Sequence, residues 1–292
     1  MDLNIVRLIM TPSLPLADRL LTLVSGSGAS FEAALRACCC TQPQHSCNGC
    51  TAQNCCAFAT LTARKLSNDA ELVRRHQRPS LPFVFERCDA ASSEFGLTLL
   101  GPACQEIPLF LKAVVHLLGE GGGWSVRALD YQGTPFVIDP TSQQGLDSVP
   151  VLSAQDLMQQ YLQEFVGCSK VSLTLCSPLR LMQQGRELNR FVPDQFIRML
   201  LRRLSSLAAY YGTAADSQLF RTLAELSTKV SLISSDQADL AGRPVAQRGI
   251  RGNFILSGPF SDLGPYLALG SLLHVGKGAS YGLGSFRISR FC

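Results

Sequence analysis

HVGKGASYGLG, residues 274–284, sets four glycines and one lysine between an apolar helical run and a last strand-like run. Glycines let backbone amides close on an anion, and Lys277 adds a charge. A nucleotide phosphate loop would follow a strand, and a dinucleotide fingerprint would have an acid downstream; this stretch has neither context. Working back from it, residues 263–274 read as a helix and residues 281–288 as a strand. Strand-like material fills residues 230–257, and a long helix is expected over 194–211. Its core stripe is Phe196, Ile197, Leu200, Leu201, Leu204 and Leu207, leaving Arg198 and Arg202 four apart on a solvated or partner-facing side with Arg203. With a strand over 171–176, the order becomes strand, helix, strand, strand, helix, strand.

The first half repeats that order. Residues 3–11 are strand-like, Ser30 caps a helix over 31–37, and strands are expected from residue 81 and over 95–101. An apolar helix over 107–118, a glycine break at 119–123 and a strand over 124–131 complete the set. A connector at 139–149 and an amphipathic helix bearing Leu157, Met158, Tyr161, Leu162 and Phe165 follow. The chain therefore reads as α+β, two tandem ferredoxin-like βαββαβ domains, residues 1–168 and 169–292.

Hydrophobic residues at 46% and charged residues at 16% exclude general disorder. The longest apolar runs fall short of the ~20 residues of a bilayer crossing, and the start Met-Asp-Leu-Asn lacks a secretory pattern, so no membrane association and a cytoplasmic location are expected. Net charge is +4, but residues 170–292 hold 15 Lys and Arg against 7 Asp and Glu, while the preceding residues hold 11 against 15. The excess cation of the second half points to a polyanionic partner.

Seven of the twelve cysteines fall within residues 38–56, an insertion in the first domain. Cys47-x2-Cys50 is a close pair of the kind tetrahedral zinc uses, and Cys40 and Cys56 would complete a structural site. Small buried side chains or unpaired thiols are the other reading, with Cys38, Cys39 and Cys55 as alternative partners.

On these residues the sequence resembles the RAMP superfamily of CRISPR proteins, and within it the endoribonucleases that cut precursor CRISPR RNA. The resemblance rests on a glycine-hydrophobic-glycine triplet, five residues with a cation, and a second such triplet. Here Gly282-Leu283-Gly284 is the second, residues 277–281 are the five, and His274-Val275-Gly276 stands at the first with His274 replacing a glycine. It extends to residues 177–185 (SPLRLMQQG), 196–212 and 247–254, and in the first half to CAFA (56–59), LPFV (81–84) and the turn at 119–123.

The resemblance implies metal-independent cleavage of repeat RNA with 2′,3′-cyclic phosphate and 5′-hydroxyl ends, so that any zinc is structural. Acid–base chemistry at neutral pH favours histidine. His45 lies where many members carry their base, and His274 opens the glycine-rich loop; both are candidates, with Lys277 supporting the pentacoordinate phosphate. His76 reads as a solvated face and His116 as a core residue. Arg180, Arg186, Arg248, Arg251, Gly276, Lys277, Ser280, Tyr281, Gly282 and Gly284 are the expected RNA contacts, Tyr281 by stacking. The other reading is a noncatalytic subunit that holds guide RNA among further effector-complex subunits; a zinc-stabilised protein-interaction module is a third.

Overall fold

The computed structural model describes residues 2–13, 28–42, 47, 50–52, 55–62, 69–87, 94–119, 123–212, 216–238 and 248–291. Strand β1 (Asn4–Pro12) leads to α1 (Ala29–Cys39), the short helices α2 (Ala57–Thr62) and α3 (Ala70–Arg75), and strands β2 (Phe83–Arg87) and β3 (Phe95–Leu100). Helix α4 (Ile107–Leu118), β4 (Trp124–Leu129) and β5 (Pro135–Ile138) follow, then the two-residue β6 (Leu152–Ser153) and α5 (Ala154–Glu164). The second half runs through β7 (Lys170–Leu179), a small hairpin of β8 (Met182–Gln183) and β9 (Arg186–Glu187), α6 (Pro193–Tyr211) and α7 (Ser217–Leu226). It ends with β10 (Ser231–Ala238), β11 (Ile250–Ser257), α8 (Phe260–Leu273) and β12 (Phe286–Arg290).

The first sheet is ordered β2-β3-β1-β4-β5, with β6 also pairing on β1, and the second β10-β11-β7-β12; every pairing within them is antiparallel. In each, the first and third strands of the βαββαβ order are central neighbours, the ferredoxin-like arrangement. The fold is thus α+β with two such units in tandem. Alternation explains the layering: Val6, Leu8 and Met10 of β1 are buried towards the helices, whereas Arg7, Ile9 and Thr11 between them are half-buried on the other face. In β7, Val171, Leu173 and Leu175 are buried and Ser172, Thr174 and Cys176 are not.

The first core is aromatic. Phe31 of α1, Phe83 and Phe85 of β2, and Phe110 of α4 meet at centroid separations of 4.7–5.8 Å, mostly edge to face. Full burial of each such ring stabilises by about 1.5–3 kcal/mol. The second core does not stop at residue 169. Leu3, Ile5, Leu100, Leu152, Ala154, Leu157 and Phe165 all belong to it, because α5 lies against α8 rather than over the first sheet. The sheets divide near residue 168; the apolar packing does not.

Two histidines sit opposite to their sequence reading. His76 is buried, because its turn docks on α6: Ser205 Oγ lies 3.3 Å from His76 Nε2 and Tyr210 OH donates to the His76 carbonyl at 3.4 Å. His116 is exposed one turn beyond exposed Lys112, on the outward stripe of α4. Among the described residues no helix is long and apolar enough to cross a membrane.

Candidate nucleic-acid interface

Residues 274–285 form a compact element that both units hold. Its base closes where Val275 N donates to the Gly284 carbonyl at 3.1 Å. Inside it Tyr281 N and Leu283 N both donate to the Gly278 carbonyl, at 2.9 and 3.3 Å. On one side it is fastened to the end of β7, with Lys277 N donating to the Arg180 carbonyl (3.1 Å) and Gly284 N to that of Pro178 (3.0 Å). On the other, Phe85 N donates to the Ser280 carbonyl at 2.9 Å, and Phe85 and Tyr281 form a parallel bridge. Arg203 of α6 completes the mount. Its Nε donates to the Leu273 carbonyl at 2.8 Å and its Nη2 to Ser280 Oγ at 3.3 Å, placing a cation at the negative end of α8.

Tyr281 is not a stacking platform for bases. It is buried in the first core, edge-on to Phe83 at 5.7 Å, and its hydroxyl donates to Glu32 Oε1. Gly28 lies flat on the ring, where a Cβ would come within 2.2 Å of Tyr281 Cζ. Ser280, Gly282 and Gly284 are buried too, so of the expected contacts in this loop Lys277 is the exposed one.

His274 is likewise withdrawn. It is fully buried at φ 58° and ψ 174°, a region that glycine alone visits readily and that costs other residues about 1–3 kcal/mol. This is why a glycine would suit the position. Among the described residues neither ring nitrogen reaches a partner in hydrogen-bonding geometry. Burial first, and then the charge of Arg203, push the imidazole down to about 3, against a smaller opposing influence of the backbone at Ala279 and Leu283. Glu86 Oε1 stands 4.0 Å from Nε2, an ion pair only for a protonated ring, which this environment prevents. The expectation of His274 as a proton-transfer group is corrected: a neutral, enclosed imidazole fills the base of the loop. His45 lies outside the described residues.

The neutral His274 predicts an acid-sensitive fold. Because its folded value lies below the ordinary 6.5, the unfolded chain binds more protons between pH 6.5 and about 3, and stability is lost as pH falls through that window. The slope is at most about 1.4 kcal/mol per pH unit. Urea unfolding at pH 5 is expected to lie about 2 kcal/mol below that at pH 7. Glu86, whose carboxyl burial pushes up, acts in the opposite sense, so the comparison is made against His274→Asn. Equal pH dependence in the two proteins would remove the imidazole as the cause.

The remaining cations gather at the end of β7. Ile250 pairs with Leu179, and Gly249 sits so close to the Leu179 carbonyl that a Cβ would come within 2.7 Å, which brings Arg248 and Arg251 beside Arg180. Arg251 is exposed, its Nη2 donating to the Cys176 carbonyl at 2.8 Å, and Arg248 is exposed. Arg186 is exposed beside the positive-φ turn at Gln184 and Gly185. Arg180 is held differently: its Nε and Nη2 grip both oxygens of Glu187 at 2.7–3.2 Å, so it orients the hairpin. Lys277, Arg186, Arg248 and Arg251 are thus the outward cations of this corner.

Sequence reasoning missed Glu86. Burial raises its carboxyl, while Arg7 of the first sheet, a hydrogen bond from Ser285 Oγ (3.2 Å) and Arg287 of the second oppose that rise. It therefore marks where the open faces of the sheets meet. Its signal was alternation, since Val84 and Glu86 take the positions that alternate with Phe83 and Phe85.

The expected structural zinc is not confirmed. Among the described residues no three His, Cys, Asp or Glu side chains converge to hold a metal, Cys40, Cys47, Cys50 and Cys56 included. Cys50 Sγ instead donates to Gln42 Oε1 at 3.6 Å, and burial pushes the Cys39 thiol up to about 11, disfavouring a thiolate.

The chain is thus a tandem ferredoxin-like pair whose second unit carries a glycine-rich element that the first one grips. Residues 173–286 match the family model of the CRISPR-associated endoribonuclease Cas6, and residues 28–131 match a second model, that of an N-terminal domain. The Cas6 match spans most of the second unit, and over those residues the chain is similar to that family. A Cas6 product complex superposes over 99% of this chain and 100% of its own with a TM-score of 0.50 at 20% identity. A partial Cas6-RT-Cas1–Cas2 complex does so over 99% of this chain and 46% of its own, at 0.57 and 16%. At such identities these likenesses speak for the fold. Among curated proteins, none matches the chain.

Proposed function

We propose that the chain is a metal-independent endoribonuclease that binds CRISPR repeat RNA and cuts the precursor into guide RNAs, leaving 2′,3′-cyclic phosphate and 5′-hydroxyl ends. The observation that carries this reading is that the Cas6-matching region contains the glycine-rich element, which presents Lys277 to solvent among the cations of the β7 corner. A base removes the 2′-hydroxyl proton, the oxygen attacks the adjacent phosphorus, and the 5′-oxygen leaves with a proton. His45 is the histidine assigned to that transfer. Lys277 neutralises charge on the nonbridging oxygens, and Arg186, Arg248 and Arg251 hold the flanking strand. Repeat RNA is the substrate partner; the resemblance to a Cas6-RT-Cas1–Cas2 complex supports other CRISPR proteins as further partners.

Incubated with end-labelled repeat RNA in excess EDTA, the protein is expected to give a single cut with a cyclic phosphate end. Cleavage that disappears with EDTA and returns with a divalent ion would end the metal-independent reading. A second reading, a noncatalytic subunit that retains guide RNA, is favoured by one observation: within residues 274–284 neither His274 nor Tyr281 reaches solvent to move a proton. Tight RNA binding without a cut would establish it.

A further inference from the structure

Helix α6 divides its arginines. Arg203 turns to the glycine-rich element, whereas Arg198 and Arg202, four residues apart and about 6 Å along the axis, line a cavity of about 510 Å³ on its other side. The walls are α3 of the first unit, α6 and α7, so the cavity straddles both halves of the chain. Arg75 and Arg221 bring the guanidiniums to four, and His76, Ser205 and Ser217 add polar groups. Arg198 and Arg202 are both exposed, as expected of a solvated or partner-facing side, and the cavity lies open beside them.

The acids in the cavity are already engaged. Asp69 caps α3, accepting from the backbone N–H of Glu71 (2.8 Å) and of Leu72 (3.3 Å), and Glu71 pairs with Arg75. Just outside, Asp194 pairs with Arg198 at 2.7 Å and accepts from Ser227 Oγ. Arg202 and Arg221, both exposed, have no acidic partner among the described residues. Two guanidiniums lacking a counter-charge, above a neutral imidazole and a hydroxyl, are the donor set of a phosphate site.

We propose that this cavity binds backbone phosphates of the RNA strand, with Arg202 and Arg221 on their nonbridging oxygens, as an anchor separate from the corner around Lys277. The proposal rests on the RNA-binding reading above. Spread over three helices, the cations suit successive phosphates better than one small ion, and α6 links them directly to the glycine-rich element through Arg203. The field is already visible at His76, which burial and then the charges of Arg202 and Arg75 hold below its ordinary value. An anion seated between them would relieve that push.

The test is the affinity of the full chain for single-stranded repeat RNA across a salt series, for wild type, Arg202→Ala/Arg221→Ala and Arg202→Lys/Arg221→Lys. Loss of two phosphate contacts is expected to weaken binding about tenfold near physiological salt and to flatten the log–log salt slope by roughly 1.4, the lysine pair restoring the slope. If wild type binds and the alanine pair matches it in affinity and slope, this anchor is wrong and the proposed function stands. If wild type does not bind repeat RNA, both readings fall. A double variant that loses binding of inorganic pyrophosphate yet keeps its RNA affinity overturns the proposal in favour of a small-anion site.

Discussion

Gly284→Ala is expected to cost about 4 kcal/mol or more of folding stability, in the range that marks a specific structural failure, and to abolish RNA binding through the loop. Gly284 has φ +65°, which alone costs an alanine about 1–2 kcal/mol. The larger part is steric: its Cβ would lie 1.7 Å from the Val275 carbonyl oxygen and 2.8 Å from the carbonyl carbon. Neither is the end of a flexible side chain, and the same residue donates the N–H bond that closes the element. Gly185→Ala separates the two contributions, because Gly185 has φ +80° and nothing within 4 Å of the added carbon. Chemical unfolding should show a loss of about 1 kcal/mol at Gly185 and several times that at Gly284. Equal losses would mean that the loop base relaxes and does not hold the element rigidly.

His45→Ala is expected to lower the single-turnover cleavage rate by about 10²–10⁴-fold, the usual contribution of a positioned base, with RNA affinity changed by no more than a few-fold. The proposed function gives the transfer to His45; of the other histidines, His274 and His76 are buried and His116 is exposed on the outer face of α4. His116→Ala serves as the matched control and should cut at the wild-type rate. Wild-type cleavage by His45→Ala would take the base away from histidine 45 and, with a metal-free cut retained, place it on a group of another type. Lys277 would not substitute, since its role is to meet charge on the phosphate.

The repeated order of elements was legible because each half pairs period-two strands with period-3.6 helices, and the glycine-rich stretch marks the last crossover. The expected helix over 107–118 coincides with α4, and that over 194–211 begins one residue after α6. What the sequence could not reveal was which side of a polar segment meets another element. Arg74-Arg75-His76-Gln77-Arg78 looks solvated, yet His76 is buried through Ser205 and Tyr210, more than a hundred residues away. Conversely His116 sits in an apolar run, and its exposure was readable from Lys112 four residues earlier. Tyr281 was expected in the final strand, which begins at Phe286; the intervening residues serve the interface between units. For the loop the glycine spacing identified the element but not its inward face, so Ser280, Tyr281 and His274 were assigned to a ligand when they belong to packing.

The sharing of the second core has a consequence for how such a chain can be cut and recombined. Phe165 is fully buried against Gly264 of α8, so tightly that a Cβ on that glycine would come within 2.2 Å of the ring, and Leu157, Leu152, Leu3 and Ile5 line the same interior. A fragment starting at residue 169 would keep all four strands of its sheet and lose one wall of its interior. The unit of inheritance is therefore the pair. A crossover upstream of Leu152 would keep α5 with the second sheet, yet Leu3, Ile5 and Leu100 of the first half still line that interior, so both halves must match for it to close.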